Sequence, residues 1–321
     1  MRPDSLKNLL DSVVLQTVMP DEVLVIDGST NLETSTFIKT ATYSLPLSYF
    51  LVDAANRGLT KQRNFGVSKV HPTMDLVAFL DDDIVLEPTY FEEIRNSFQQ
   101  DEQVVGVGGI DLKDYRFKLI NESIKLNNYL YYQFDGYYIK ESYRGVIRNI
   151  LNLNSKFYSG IMPDFSHGRS IGFPLTDKSY EVDLIIGMSM TFRKKIFEKI
   201  TFSSFFEGYG LYEDADFSIR ALKFGKNIIN TKAQVWHYHA PSGRPNQYEY
   251  GKMVVRNGWY VWRVKYPKPS FKAKVKWHLI TLLLMFLRFL NTFTTSNKKA
   301  AFTESLGRLV AYCTLFFKKP R

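Results

Sequence analysis

The sequence has a single cysteine, Cys313, in 321 residues, which excludes a disulfide framework and any cysteine-ligated metal and suits a reducing compartment. It has no N-terminal succession of charged, apolar and small residues of the kind a secretory signal needs, so a cytoplasmic location is expected. It also lacks a long apolar run. The stretch 279–287 is cut by Arg288, and a bilayer takes about 20 residues to cross. Acid is scarce in one region only: residues 250–321 hold Glu304 alone against 15 Lys/Arg, whereas residues 1–249 hold 31 acidic and 27 basic residues. The net charge of +10 is therefore a property of the C-terminal segment, and it predicts an anionic partner surface. What is abundant, 45% hydrophobic and 15% aromatic residues, excludes a disordered chain and allows one large α/β domain or two smaller ones.

The chain is organised around Asp75-Leu-Val-Ala-Phe-Leu-Asp-Asp-Asp-Ile84. The apolar residues Leu76–Leu80 do not alternate with polar ones, which predicts a parallel strand covered on both faces. Asp81, Asp82 and Asp83 follow where such a strand leaves its sheet, the place where open α/β sheets bind ligands. Adjacent like charges need an offset. A hard divalent cation, Mg2+ or Mn2+, shared with substrate phosphate oxygens supplies one. The structural alternative is an acidic turn capping the next helix, with Asp83 or Glu87 near its positive end.

Leu6, Leu9, Leu10, Val13 and Val14 mark one face of a helix over residues 5–17, stopped at Pro20. Residues 22–26 read as a short strand ending in Asp27-Gly28-Ser29, either an Asx turn or a site acid. A second strand over 47–52 leads to Asn56-Arg57-Gly58-Leu59-Thr60-Lys61-Gln62-Arg63-Asn64. There Gly58 permits a turn, Thr60 can cap a helix, and Lys61 and Arg63 load its start with cations that oppose the helix dipole. Either an anion held at that terminus or a solvated basic face accounts for them. Strands alternating with helices predict a parallel sheet. Further on come a helix over 88–100 and a strand over 104–110, whose Gly106, Gly108 and Gly109 imply close backbone approach. An insertion over 112–170, rich in Tyr and Asn, is of a kind that shapes an acceptor pocket. Strand character over 181–190, a helix over 193–200 and a strand over 227–235 complete this region.

A second acidic group follows Gly208-Tyr-Gly-Leu-Tyr. Phe217, Ala221 and Phe224 recur at helical spacing, so Glu213 and Asp214 open a helix and Asp216 sits in its first turn. Acids at a positive helix end explain such a cluster structurally, while the glycine-rich aromatic lead-in reads as a loop carrying them to a cleft. His237 and His239, on alternate residues of an extended segment, point to one side, either as metal or phosphate contacts or as structural histidines.

Taken in order over residues 5–245, these motifs resemble the family 2 glycosyltransferases, inverting enzymes with the GT-A fold. Residues 12–29, with Gln16, Pro20, Glu22 and Asp27, are similar to that family's first helix and its nucleotide-reading Asp. Asn56 to Asn64 resembles its loop near the donor diphosphate, Phe79-Leu80-Asp81-Asp82-Asp83 its Asp-x-Asp metal motif, and Gly208-Tyr-Gly with Glu213-Asp214-Ala-Asp216 its Glu-Asp motif. Ser242-Gly243-Arg244 after the histidine pair is similar as well. The resemblance implies an α/β fold with a Rossmann-like, mostly parallel sheet flanked by helices. It implies Mg2+ or Mn2+ on Asp83 with Asp81 and His237 or His239. It implies a nucleotide-sugar donor near Asp27, Arg57, Lys61, Arg63, Asp81 and Asp82, and Asp214 as general base with Glu213 assisting. It also implies a strand ahead of the first helix, whereas Met1-Arg2-Pro3-Asp4 begins inside the turn after it. A start codon assigned too late is the expectation, loss of part of the donor site the alternative.

Residues 1–249 are thus expected to form the catalytic domain and residues 250–321 a basic tail of amphipathic helices. Trp259, Tyr260, Trp262 and Tyr266 among lysines and arginines suit a segment in the interface of an anionic membrane; packing on the catalytic domain or in a dimer are the alternatives. No recognition motif for nucleic acid accompanies the tail. The expected activity is transfer of a hexosyl or deoxyhexosyl group to a glycan or lipid-linked acceptor in cell-surface polysaccharide synthesis, peripherally at the inner face of the membrane. Two other classes compete with it: a non-catalytic, membrane-docked binding module of the same fold, and a metal-dependent nucleotidyltransferase.

Overall fold

The structure is a computed structural model describing residues 2–121, 125–169, 171–239 and 245–320. Two compact units make up the chain, Met1–Tyr115 with Leu175–Ser242, and Arg116–Pro174 with Gly243–Arg321. The first begins with α1 (Pro3–Val14), β1 (Val23–Asp27), α2 (Glu33–Thr40), β2 (Leu47–Leu51) and α3 (Leu59–Lys69), then β3 (Leu76–Leu80), β4 (Ile84–Leu86), α4 (Tyr90–Gln100) and β5 (Val104–Asp111). The second contributes β6 (Lys118–Leu119), β7 (Tyr131–Phe134), β8 (Tyr137–Lys140) and α5 (Tyr143–Ile150). The first resumes with β9 (Ser179–Val182), β10 (Ser189–Arg193), α6 (Glu213–Ala221) and β11 (Lys226–His237), and the second closes with α7 (Gln247–Lys265), α8 (Phe271–Thr294) and α9 (Lys298–Thr314).

In the first unit, Leu6, Leu9, Leu10 and Val13 share one face of α1 and all are buried. Pro3 opens the helix with φ already set. Leu9 and Val13 pack with Ile84, Leu86, Tyr90, Ile94, Val107 and Val235 into one core. The central sheet has the order β3-β10-β5-β11-β4, with β9 also on β11. β5 and β11 run parallel, and the other pairings in that sheet are antiparallel. β1 and β2 form a separate parallel pair, registered from Val23–Leu47 to Asp27–Leu51.

The α/β architecture is the one expected, but β3 is not a parallel strand buried between neighbours. It lies at the sheet edge, antiparallel to β10. An unbroken apolar run records covered faces and carries no information on the direction of its partners. Leu76 and Leu80 lean on the α1 core, Phe79 meets Phe202 edge-on at 5.2 Å, and Ala78 remains exposed. The expected helix over 193–200 is a short 3-10 helix, Lys194–Glu198, and the strand expected over 181–190 is divided between β9 and β10. The close approach foreseen at the β5 glycines is made by the protein itself: a Cβ on Gly106 would lie 2.5 Å from Asn227 Oδ1, and one on Gly109 2.6 Å from Ala233 O.

In the second unit, β6, β8 and β7 form an antiparallel sheet. Trp277 stacks on Trp262 at 5.4 Å and meets Trp259 edge-on at 4.8 Å. Arg288 does not end its helix. It turns inward to Glu304 at 2.6 Å, which also accepts from Arg308 at 2.6 Å, so α8 continues to Thr294. Backbones of α7 and α9 almost touch, since a Cβ on Gly251 would lie 2.1 Å from Glu304 O and one on Gly307 2.0 Å from Tyr248 O. Among the described residues, no helix is long and apolar enough to cross a membrane.

Candidate active site

Asp81, Asp82 and Asp83 join β3 to β4, and Asp81 N donates to Met188 O at 3.1 Å, tying the turn to the segment before β10. A strand follows them, so they do not cap α4. The ligand atoms of Asp81, Asp83 and His237 lie within 4.8 Å of one another. His237 Nε2 is 3.2 Å from Asp83 Oδ1, and Tyr238 N donates to Asp83 O at 2.9 Å. Two carboxylates and an imidazole make a donor set suited to Mn2+ or Mg2+. Arg2 faces the same group, donating from Nε to Asp82 Oδ2 and from Nη1 to Asp83 Oδ2 at 3.1 Å each, and from Nη2 to Asp82 Oδ1. Burial raises the Asp81 and Asp82 pKa values against the pull of Arg63 and Arg2 respectively. Burial disfavours the charged form of His237, yet Asp83 outweighs it and the His237 pKa ends above its ordinary value.

Gly58, at φ +119°, is the N-cap of α3; Thr60 is buried and does not cap. Its φ is one that L side chains rarely adopt. Arg63 is neither on a solvated face nor at the helix terminus. It is buried, with Nη1 donating to Glu213 Oε1 and Nη2 to Gly187 O at 3.0 Å, while Asp81 Oδ1 stands 3.6 Å away. The guanidinium also lies beside the Phe202 and Phe79 rings, at 5.4 and 5.8 Å from their centroids. Burial works against its charge, and Glu213 and Asp81 more than offset that. Burial also pushes Glu213 up to about 7 although Arg63 faces it. Lys61 lies 3.5 Å from Glu207.

The lead-in to α6 is built from left-handed backbone: Gly208 at φ +85°, Gly210 at +78° and Tyr212 at +70°. Asp214 is half-buried, and its Oδ2 accepts from Gly187 N at 2.8 Å and its Oδ1 from Ala215 N at 2.8 Å. Asp216 is buried and turned onto Arg220, which donates to it at 2.6 and 3.0 Å. The three acids of this cluster therefore divide. Glu213 and Asp214 converge with Arg63 on Gly187, and Asp216 belongs to the helix.

Asp27 is engaged in a turn, its Oδ1 accepting from Ser29 N at 2.8 Å and from Ser29 Oγ, its Oδ2 from Tyr49 OH at 2.8 Å. An open cleft of about 520 Å³ lies at the carboxyl ends of β1 and β2, lined by Ser29, Thr30, Asn31, Leu32, Asp53 and Arg57 among others. Neither Asp27 nor the Asp81–Asp83 group lines it. His239 reaches the side of His237 through a left-handed turn, φ +46°, rather than by strand alternation. The two rings stand 4.0 Å apart, and His239 Nε2 is 3.6 Å from Asp114. Asp111, His237 and His239 form a further group within 4.8 Å. Ser242-Gly243-Arg244 lie outside the described residues. Sequence reasoning missed Arg2 and Gly187. Nothing local marks Arg2; Gly187 falls within the strand expected over 181–190, and only the fold brings it against α3 and α6.

A family model described as "Glycosyl transferase family 2" matches residues 1–160. No curated protein matches the chain. Among solved structures, the mannosyltransferase PcManGT from Pyrobaculum calidifontis in complex with GDP-Man and Mn2+ is 13% identical at a TM-score of 0.50, over 97% of this chain and 72% of that one. GalNAc-T7 with UDP, GalNAc and Mn2+ is 14% identical at 0.47, over 80% and 46%. S. aureus TarS is 13% identical at 0.45, over 88% and 40%. This chain thus spans less than half the length of the last two, and the likeness to the first is one of fold.

Proposed function

Because the chain belongs over residues 1–160 to glycosyl transferase family 2, we propose that it is an inverting glycosyltransferase, moving a hexosyl or deoxyhexosyl group from a nucleotide-sugar to a hydroxyl of a glycan or lipid-linked acceptor. The observation that carries this reading is the meeting, in one compact unit, of the Asp81, Asp83 and His237 donor set with an Asp214 carboxylate held by the Gly187 amide. Asp83, Asp81 and His237 would hold Mg2+ or Mn2+, with His239 adjacent. Such an ion, when bound, would supply positive charge to offset the negative charge developing on the departing nucleoside diphosphate.

Asp214 accepts the proton of the acceptor hydroxyl as its oxygen attacks the anomeric carbon. The bond from that carbon to the diphosphate oxygen breaks on the opposite face, and the electron pair leaves with the diphosphate. Inversion follows from this single displacement, without a protein nucleophile. Glu213 and Arg63 position Asp214. Arg57, in the cleft beside β1 and β2, and Lys61 lie on the donor side, as does Asp27 through its turn. Catalysis resides in residues 1–249, the basic segment 250–321 makes peripheral contact with an anionic membrane, and the context is cell-surface polysaccharide synthesis.

The test is turnover of a panel of nucleotide-sugars with Mn2+ or Mg2+, with Asp214→Asn as control. Metal-dependent turnover of one donor that the substitution abolishes is expected. No turnover and no donor binding would overturn the reading in favour of a non-catalytic module, which the hold of Arg2 on Asp82 and Asp83 favours. Pyrophosphate released from a nucleoside triphosphate would identify a nucleotidyltransferase instead.

A further inference from the structure

Along α8, Val275, Leu279, Leu282, Phe286, Phe289 and Phe293 recur three or four residues apart, and all are exposed. They form one unbroken apolar stripe on a helix of 24 residues, about 36 Å long at 1.5 Å per residue. Phe302, Leu306, Leu309, Val310 and Phe317 form a second exposed stripe along α9 and the turn after it. At one end Phe289 and Phe302 stand 6.4 Å apart, and at the other His278 stacks on Phe316 at 6.1 Å. The two helices therefore run antiparallel with their stripes side by side.

The charges follow a plan of their own. In the middle of the hairpin Arg288, Glu304 and Arg308 satisfy one another inside. Exposed Lys272, Lys274, Lys318 and Lys319 gather at one end, and Lys298 and Lys299 at the other. The only acid of α8 and α9, Glu304, is buried. An exposed apolar surface of this extent needs cover. A second copy would oppose lysine to lysine, whereas anionic headgroups complement both ends.

We propose that the α8–α9 hairpin is an in-plane membrane anchor, seating its two stripes among the acyl chains of an anionic bilayer with its lysines on the lipid phosphates. The proposal rests on the membrane contact put forward above and gives that contact its surface. No described helix is suited to crossing a bilayer, so the hairpin lies along it.

Flotation of the full chain with phosphatidylglycerol-containing and with pure phosphatidylcholine vesicles tests this, beside two variants. Leu282→Ser with Phe286→Ser removes the centre of one stripe; Lys298→Gln, Lys299→Gln, Lys318→Gln and Lys319→Gln neutralise both ends. The native chain is expected to float with anionic vesicles and to be released by salt, and each variant to bind them at least about tenfold more weakly. Melting temperature and lipid-free donor hydrolysis stay unchanged, because these side chains are exposed and far from the carboxylates in sequence. Native protein that does not float, or an apolar variant that floats as well as the native chain, overturns the proposal. So does a dimer that Leu282→Ser with Phe286→Ser converts to monomer without any vesicle binding, which would assign the face to a second copy. Absence of donor turnover with vesicle binding intact would overturn the transferase reading and leave the anchor standing.

Discussion

Arg63 of α3 and Glu213 of α6 meet as a buried ion pair although 150 residues separate them. Gly187 completes the junction, accepting from Arg63 through its carbonyl and donating through its amide to Asp214. Arg63→Met leaves Glu213 buried without its ion partner, a change that destabilises by about 3–5 kcal/mol. In the native chain the raised Glu213 pKa makes stability fall as pH rises from 4.5 to about 7, because the unfolded carboxyl gives up its proton before the folded one does. Without Arg63 that window extends upward. Thermal melts should therefore show a larger deficit at pH 8 than at pH 6, and an equal deficit at both would refute this account of the pair.

Asp214 and Asp216, two residues apart, should behave oppositely. Asp214→Asn is expected to keep the melting temperature and donor binding while lowering turnover by about 10²–10⁴. Asp216→Asn takes the ionic partner from Arg220 and should lower stability by about 1–3 kcal/mol, leaving turnover per folded molecule near the native value. Stopped donor hydrolysis beside calorimetric melts separates the two.

At the proposed metal site a proton and the ion would compete for His237. Its folded-state pKa lies above 6.5, so the stability from its charged contact with Asp83 is complete below 6.5 and is lost as pH rises through the folded value. Metal binding has to displace that proton. Mn2+ affinity should rise with pH across this range, with proton release seen by titration calorimetry in buffers of different ionisation enthalpy. Histidine 237 replaced by alanine, His237→Ala, should bind weakly and release none.

Arg2 competes for the same carboxylates. Arg2→Ala should raise Mn2+ affinity by about tenfold, or roughly 1.4 kcal/mol, while lowering the melting temperature in the absence of metal. Unchanged affinity would mean that Asp82 and Asp83 serve only to hold the start of α1.

The elements that sequence made legible are those whose cause is local. The helical face of α1, the short strands, the acids opening α6 and the basic character of residues 250–321 all follow from periodicity or charge within a few residues. The direction of β3 was illegible because an apolar run encodes burial and not the orientation of its partner. Arg63 looked like an anion ligand because its neighbours in sequence are cations; its actual partners, Glu213, Asp81 and Gly187, arrive from distant parts of the chain. Asp214 was told apart from Asp216 only through the resemblance; that one meets Gly187 and the other Arg220 follows from the different directions that residues two apart take around a helix. Arg288 looked like the end of an apolar run because its partner Glu304 sits on the next helix.

The near contact of α7 and α9 at Gly251 and Gly307 bears on any attempt to shorten the protein. α9 comes last in sequence, yet it is wedged against the main chain of α7 and supplies the inward carboxylate for Arg288 of α8. Deleting residues from 297 onward would uncover two helices at once and leave Arg288 without its carboxylate, so the product would be prone to proteolysis and aggregation rather than a more soluble enzyme. Point substitutions on the outer face keep that wedge in place, whereas a bulky residue at position 251 or 307 is expected to drive it apart.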